Sequence, residues 1–322
     1  MSNNFYPLQF DPIFKYRIWG GNSLNSVLNK NTNEDKIGES WEISSIPESQ
    51  SIIANGKWKG TTLNDLVYEF PMDILGFNSV SKFGEIFPLL FKFLDAQDDL
   101  SIQVHPNDEL ATQRHNSKGK TEMWYVVKAE PNSEIIVGFK PNQNKESYLK
   151  SLENNTILSI LETFTVSKGD VFFLNAGTVH AIGKGLLIAE IQQISDVTYR
   201  LYDYDRIDVT GNKRDLHTTE ATDAINFKVV SAKKEYTKQD NVSTLLVDCP
   251  YFTTTFLHIT NYLDYLVRPH SFTVWMLVEG SVEVEVDLQI YSYSKGDTIL
   301  FPASLNNFSV TGNATLLEIY IS

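Results

Sequence analysis

The chain writes one phrase twice. "KGDVFFLNAGTVHAIGKG" covers residues 168–185, "KGDTILFPASLNNFSV" covers residues 295–310, and the two align from Lys-Gly-Asp onward without a gap. Each is a tight turn followed by a run rich in Val, Phe, Ile and Leu that closes on another turn, the pattern of a strand in an antiparallel β structure. A repeated strand-and-turn pattern builds a repeated supersecondary unit, so the chain is expected to hold the same small β architecture twice. His180 ends the first phrase, and Asn307 stands at the matching place in the second.

Short alternating runs fill the rest of the first unit, at 87–96, 100–106, 122–129, 133–139, 165–177 and 186–193. They are bounded by Gly, Asn, Asp and Pro, as in an all-β sandwich or barrel. Helical patterns read as insertions: 61–70 behind a Thr cap, 144–164 with apolar residues at three- and four-residue steps, and 217–227. The stretch 228–243 turns polar and lysine-rich, and strands resume beyond it. The expected division is a first domain over residues 1–230, with N-terminal strands and a small helical insertion near 144–164, and a second over 231–322.

Composition excludes several classes of function. A formal charge of -13 with no Lys/Arg run argues against a nucleic-acid partner. No apolar stretch reaches the ~18–20 residues of a membrane helix. The first residues lack the basic start and apolar middle of a signal peptide, and the single Cys249 offers no internal disulfide. The cytoplasm is therefore the expected location. An anionic small molecule is compatible with this field only if basic residues converge locally.

Metal-type donors cluster in three pieces of the first unit. Gln103 and His105 are two apart in "SIQVHPND", Lys120 and Glu122 are two apart in "GKTEMWYVV", and His180 closes the third piece. Residues two apart on a strand share a face. Two imidazoles, a carboxylate and an amide oxygen suit a borderline divalent ion, zinc above all. In the second copy Thr273 replaces Glu122 and Asn307 replaces His180, so the second unit is expected to be free of metal.

The order Gln-x-His, Glu, then His after a Gly-Asp turn resembles the two-part motif of the cupin superfamily, which implies a mainly β fold of two jelly-roll barrels. "FPLLFKFLDAQDDLSIQVHPND", "GKTEMWYVV", "NAGTVHAIGKGLLIAEIQQISDVTYRLYDYDR", "YRIWGG" and "GESWEISS" resemble type I mannose-6-phosphate isomerase in its short bacterial form. The resemblance implies one Zn2+ per chain on Gln103, His105, Glu122 and His180, an active-site arginine at Arg200, and a phosphorylated hexose substrate in a monomer or homodimer. Larger members carry a histidine where this chain has Gly119, so a role for that histidine does not carry over.

The residues support a site of this kind independently. Asp196, Thr198 and Arg200 fall on one face of an extended "ISDVTYR". Glu190 shares a face with Ile188 and Gln192, an odd place for a carboxylate unless that face lines a wet cavity. Lys92 interrupts "FPLLFKFL" and must snorkel or meet an anion. Lys92, Lys120, Arg200 and Arg206 supply the local positive charge, with Lys120 and Arg206 assigned to substrate binding. The implied reaction interconverts D-mannose 6-phosphate and D-fructose 6-phosphate through a metal-stabilised cis-enediol. Its base is open among Glu190, Asp196, Lys92 and a metal-bound water, with Asp196 or Glu190 favoured. Two other readings fit the donors: a non-haem iron cupin oxygenase using His105, Glu122 and His180, and a non-catalytic sugar-binding cupin. Trp19 and Trp41 are expected in the core or cavity wall, His115 in a solvated loop, and His217 at a helix start.

Overall fold

The repeated Lys-Gly-Asp has a local cause. Gly169 and Gly296 take φ of +92° and +96°, a region open to glycine, while Asp170 and Asp297 each accept the amide three residues earlier, Ser167 at 3.0 Å and Ser294 at 2.7 Å. The computed structural model describes residues 5–32, 34–208, 211–268 and 270–322.

The first unit is two facing sheets of mixed length. A seven-stranded sheet runs in the order Lys233–Lys234, Val171–Leu174, Glu122–Ala129, Leu186–Gln193, Leu89–Ala96, Ile13–Gly21, Ile37–Ile43. A five-stranded sheet runs Tyr199–Tyr202, Ile102–Val104, His180–Ile182, Glu134–Phe139, Leu161–Thr165. The second unit is a seven-stranded sheet built on the long strands Thr253–Tyr265, Thr273–Val286 and Phe308–Tyr320. The fold is mainly β and of cupin type, with sheets that stay open at their edges.

Two pairings cross the expected division at residue 230. Leu8–Gln9 joins the second unit's sheet against Leu300 and Ile299, and Lys233–Lys234 joins the first unit's sheet against Phe172 and Val171. One apolar core runs through both units, with the rings of Phe87 and Phe272 4.9 Å apart. The helix Pro71–Phe83, unmarked in the sequence reading, packs on the second unit: Asn78 N donates to the His270 carbonyl at 2.8 Å and Phe272 N to the Leu75 carbonyl at 3.1 Å. Gly76, at φ +77°, permits this approach, since a Cβ there would lie 2.6 Å from the His270 carbonyl carbon.

The insertion near 144–164 is helical only in its first half. The helix Lys145–Glu153 starts at Asn144, whose side chain takes the Ser147 amide at 2.9 Å, and stops at Asn154 and Asn155, the latter at φ +53°. A short turn Ile157–Ile160 follows, and Leu161–Thr165 is a strand paired with Glu134–Phe139. The alternation of "LETFT" wins once the asparagines break the helix. His115 likewise ends the helix Asp108–His115 instead of lying in a loop, and its Nε2 meets the Tyr199 hydroxyl at 2.8 Å.

Candidate active site

Strand register brings the donors together. His180 pairs directly with Gln103, and Arg200 pairs with Gln103 from the other side. His105 Nε2 lies 3.4 Å from Glu122 Oε2, and His180 Nε2 lies 3.3 Å from Glu122 Oε1. The ligand atoms of His105, Glu122 and His180 all fall within 4.8 Å of one another, and all three residues are buried. His105 Nε2 and both Glu122 oxygens have no hydrogen-bond partner. A buried carboxylate with no donor is costly, and a cation between these atoms removes the cost, so the residues fit a divalent metal.

The outer faces of both imidazoles are fixed. His105 Nδ1 meets the Val197 carbonyl at 3.0 Å and His180 Nδ1 the Thr178 carbonyl at 2.8 Å. A carbonyl only accepts, so each Nδ1 carries the proton and each Nε2 turns its lone pair to Glu122. Burial, helped by Lys120, pushes His105 down to about 3, and burial lowers His180 too, which keeps both rings in the neutral form that ligates. Burial works against ionisation of Glu122, but the Lys120 ammonium, 3.6 Å from Oε2, holds the carboxyl well below its usual range. The Gln103 amide nitrogen lies 3.3 Å from His180 Nε2, and a half-turn of the amide presents its oxygen there instead.

A cavity of about 540 Å³ opens beside this cluster, reached by Gln103 and Lys120. Trp19 and Trp41 form part of its wall. Lys92 Nζ stands 3.0 Å from Glu190 Oε2, 4.0 Å from Glu39 Oε2, and over the Trp41 ring at 5.2 Å. Its strand is interior to the sheet, so Lys92 meets anions rather than snorkelling. Burial would lower the Lys92 pKa, but Glu190 and Glu39 together raise it, so the ammonium form persists. Glu190 Oε1 also accepts from Trp124 Nε1 at 2.9 Å, leaving both its oxygens engaged.

The remaining sequence-derived residues divide. Asp196 and Arg200 line the cavity; Asp196 is exposed, and no donor among the described residues reaches its carboxylate. Arg200 is held by its backbone, with N donating to His217 Nδ1 at 3.1 Å, and by Nη1 donating to the Asp215 carbonyl at 2.8 Å, while its Nε is buried and unpartnered. Arg206 lies outside the cavity lining: beyond its pairing with Asp203, its guanidinium is tied to the Asp99 carbonyl. Arg214 lines the cavity instead, forked onto Asp203 at 2.5 and 2.7 Å. Sequence reasoning also missed Arg17 and Glu39, which meet at 2.7 Å on the cavity wall. The i, i+2 logic used for Lys120 and Glu122 would have found them, since Arg17 shares a face with Trp19 and Glu39 with Trp41.

In the second unit the same register holds different chemistry. Trp275 faces Glu318 across the sheet as Trp124 faces Glu190. Asn307 Oδ1 accepts the Val267 amide at 2.9 Å, and the space is filled by Tyr265, Trp275, Phe301 and Phe308, whose ring centroids lie 4.7–5.7 Å apart. Buried Glu318 is satisfied by Thr255, Tyr265 and Arg268. Among the described residues this unit has no His, Cys, Asp and Glu cluster suited to a metal.

Known proteins match along the whole chain. Residues 8–153 match the model of the phosphomannose isomerase type I catalytic domain, and residues 241–321 that of the mannose-6-phosphate isomerase cupin domain. The chain is 38% identical over 314 residues, 96% of each protein, to the mannose-6-phosphate isomerase ManA of Bacillus subtilis. It is 34% identical over 313 residues, 97% of each, to the mannose-6-phosphate isomerase of Streptococcus mutans. The crystal structure of a mannose 6-phosphate isomerase from Bacillus subtilis superposes with a TM-score of 0.90 at 32% identity, covering 98% of this chain and 99% of that one. This chain belongs to the type I mannose-6-phosphate isomerase family.

Proposed function

We propose that this protein interconverts D-mannose 6-phosphate and D-fructose 6-phosphate, with its chemistry in the first unit. The observation that carries the reading is the buried, donor-starved His105–Glu122–His180 cluster beside a cavity walled by Gln103, Lys92, Asp196, Arg200 and Arg214. A divalent ion on His105, Glu122, His180 and the Gln103 amide oxygen, zinc in our reading and one per chain, supplies Lewis acidity to the sugar oxygens when bound.

The protein's own groups account for the rest. Asp196, whose carboxylate is free of donors, takes the C2 proton of the open-chain aldose. As the C2–H bond breaks, its electron pair forms the C1–C2 double bond and the carbonyl pair moves onto O1, which is protonated to give the cis-enediol. Loss of the O2 proton and delivery of a proton to C1 then complete the ketose. Glu190, tied to Trp124 and Lys92, holds Lys92 in its cationic form, and Lys92 stabilises the developing oxyanion instead of acting as base. Arg200, Arg214 and Lys120 line the cavity and provide the positive wall a phosphate requires.

No helix among the described residues is long and apolar enough to cross a membrane. A cytoplasmic monomer or homodimer is part of this proposal. A coupled assay of mannose 6-phosphate turnover, abolished by chelator and restored by zinc, tests it. Oxygen consumption by iron-loaded protein, or saturable sugar binding without turnover, would overturn it in favour of an oxygenase or a binding protein. Arg200→Ala is expected to keep the metal and lose nearly all activity.

A further inference from the structure

One hydroxyl of the second unit reaches the backbone that carries Lys120 and Glu122. Tyr251, in the loop between strands Thr244–Asp248 and Thr253–Tyr265, donates to Asp108 Oδ2 at 2.7 Å. Asp108 Oδ1 accepts the Gly119 amide at 2.8 Å and Gln193 Nε2 at 3.1 Å. Gln193 Oε1 accepts the Thr121 amide at 2.8 Å, and Gln193 N donates back to the Thr121 carbonyl at 3.1 Å. Thr121 stands between Lys120 and Glu122, and its hydroxyl accepts the amide of Ala176, on the turn that leads to His180.

Each bond to Asp108 is charge-assisted, the stronger kind of hydrogen bond. The approach is also closed to side chains at its centre. A Cβ on Gly119 would lie 2.6 Å from the Asp108 nitrogen and 2.7 Å from the Asn107 carbonyl carbon. The place where larger relatives are expected to carry a histidine is thus occupied here by backbone packed on the start of helix Asp108–His115.

We propose that Tyr251 is a positioning residue for the isomerase reaction: through Asp108 and Gln193, the second unit sets the place of Lys120 and Glu122. The proposal rests on the reading of Glu122 and Lys120 given above. Reactive groups displaced by about 1 Å can cost up to about a hundredfold in rate, and loss of one of Asp108's donors loosens the clamp without removing it.

The test uses the metal-loaded full chain with Tyr251→Phe, which removes the hydroxyl and keeps the ring. We expect kcat to fall about tenfold with KM within about twofold, the pattern of a lost transition-state interaction. Metal release to a chromophoric chelator should be several-fold faster, as when a ligand's supporting bonds are lost. In an Asp108→Ala background the same change should have no further effect on either quantity. Wild-type kcat and release rate in Tyr251→Phe overturn the proposal whatever happens to Tm, as does an additive effect with Asp108→Ala. Should Asp108→Ala not fold, Gln193→Leu tests the same path and should be non-additive with Tyr251→Phe. A Glu122→Gln variant that keeps metal and turnover would overturn the site reading itself, independently of Tyr251.

Discussion

Lys92 and Glu190 face each other across neighbouring strands, Nζ to Oε2 at 3.0 Å, with side chains only 6% and 5% exposed. Removing one member of such a pair leaves an uncompensated charge in the sheet interior at a cost of about 3–5 kcal/mol. Lys92→Met should therefore be destabilised by about that much, and Lys92→Met with Glu190→Gln should recover part of it. Neither should recover turnover. Denaturant unfolding and kcat measured on both variants check this, and an active double variant would remove Lys92 from the chemistry.

Asp196→Asn should retain metal and fold, because no donor among the described residues depends on its carboxylate. Its kcat should fall about 10²–10⁴-fold, the range for loss of a general base, and exchange of the C2 hydrogen with deuterated solvent should fall with it. Exchange at the wild-type rate would assign the proton transfer elsewhere, with Glu190 the next carboxylate on the wall.

Glu122→Gln keeps the shape of the cluster but removes the charge that two neutral imidazoles cannot replace. The variant should hold metal at least about a hundredfold more weakly, with the loss read by metal analysis after dialysis against a chelator series. His180→Asn, which copies the second unit's residue into the first, should show the same loss.

Glu39 connects pH to stability. Burial opposes its ionisation, but Lys92 and Arg17, with the Trp41 indole donating at 2.6 Å, bring its pKa down to about 2 from 4.5. A carboxyl with a lowered folded pKa contributes stability that is complete above about pH 4.5 and is lost as pH falls toward 2. Glu39→Gln should be less stable at pH 7 and show a shallower loss across that window. Urea unfolding at stepped pH measures both, and parallel curves for the two proteins would contradict the assignment.

The strands and the donor set were legible because their signals are local. Alternation at residues two apart placed Gln103 beside His105 and Lys120 beside Glu122, and the Gly-Asp turn announced His180. The loss of both ligands in the second copy could be read from Thr273 and Asn307 alone. What stayed hidden depends on long-range register. Arg206 and Arg214 are equally basic in the sequence and share Asp203, and what separates them is the distant Asp99 carbonyl, which holds Arg206 away from the cavity. The helix Pro71–Phe83 was missed because Gly76 interrupts its pattern, for a reason that lies in another part of the chain, at His270. The strand Leu161–Thr165 was hidden inside a helical pattern that two asparagines end.

Leu8, fully buried against the partner that Leu300 supplies, has a consequence for biosynthesis. Leu8–Gln9 forms the edge of a sheet whose other members lie more than two hundred residues later in the chain, so it is made long before them. At about 5–20 residues per second, that segment waits roughly tens of seconds for its template. Throughout that interval an unpaired strand carrying Leu8 is available to chaperones or to neighbouring nascent chains. A strand made early is thus among the last to reach its final place.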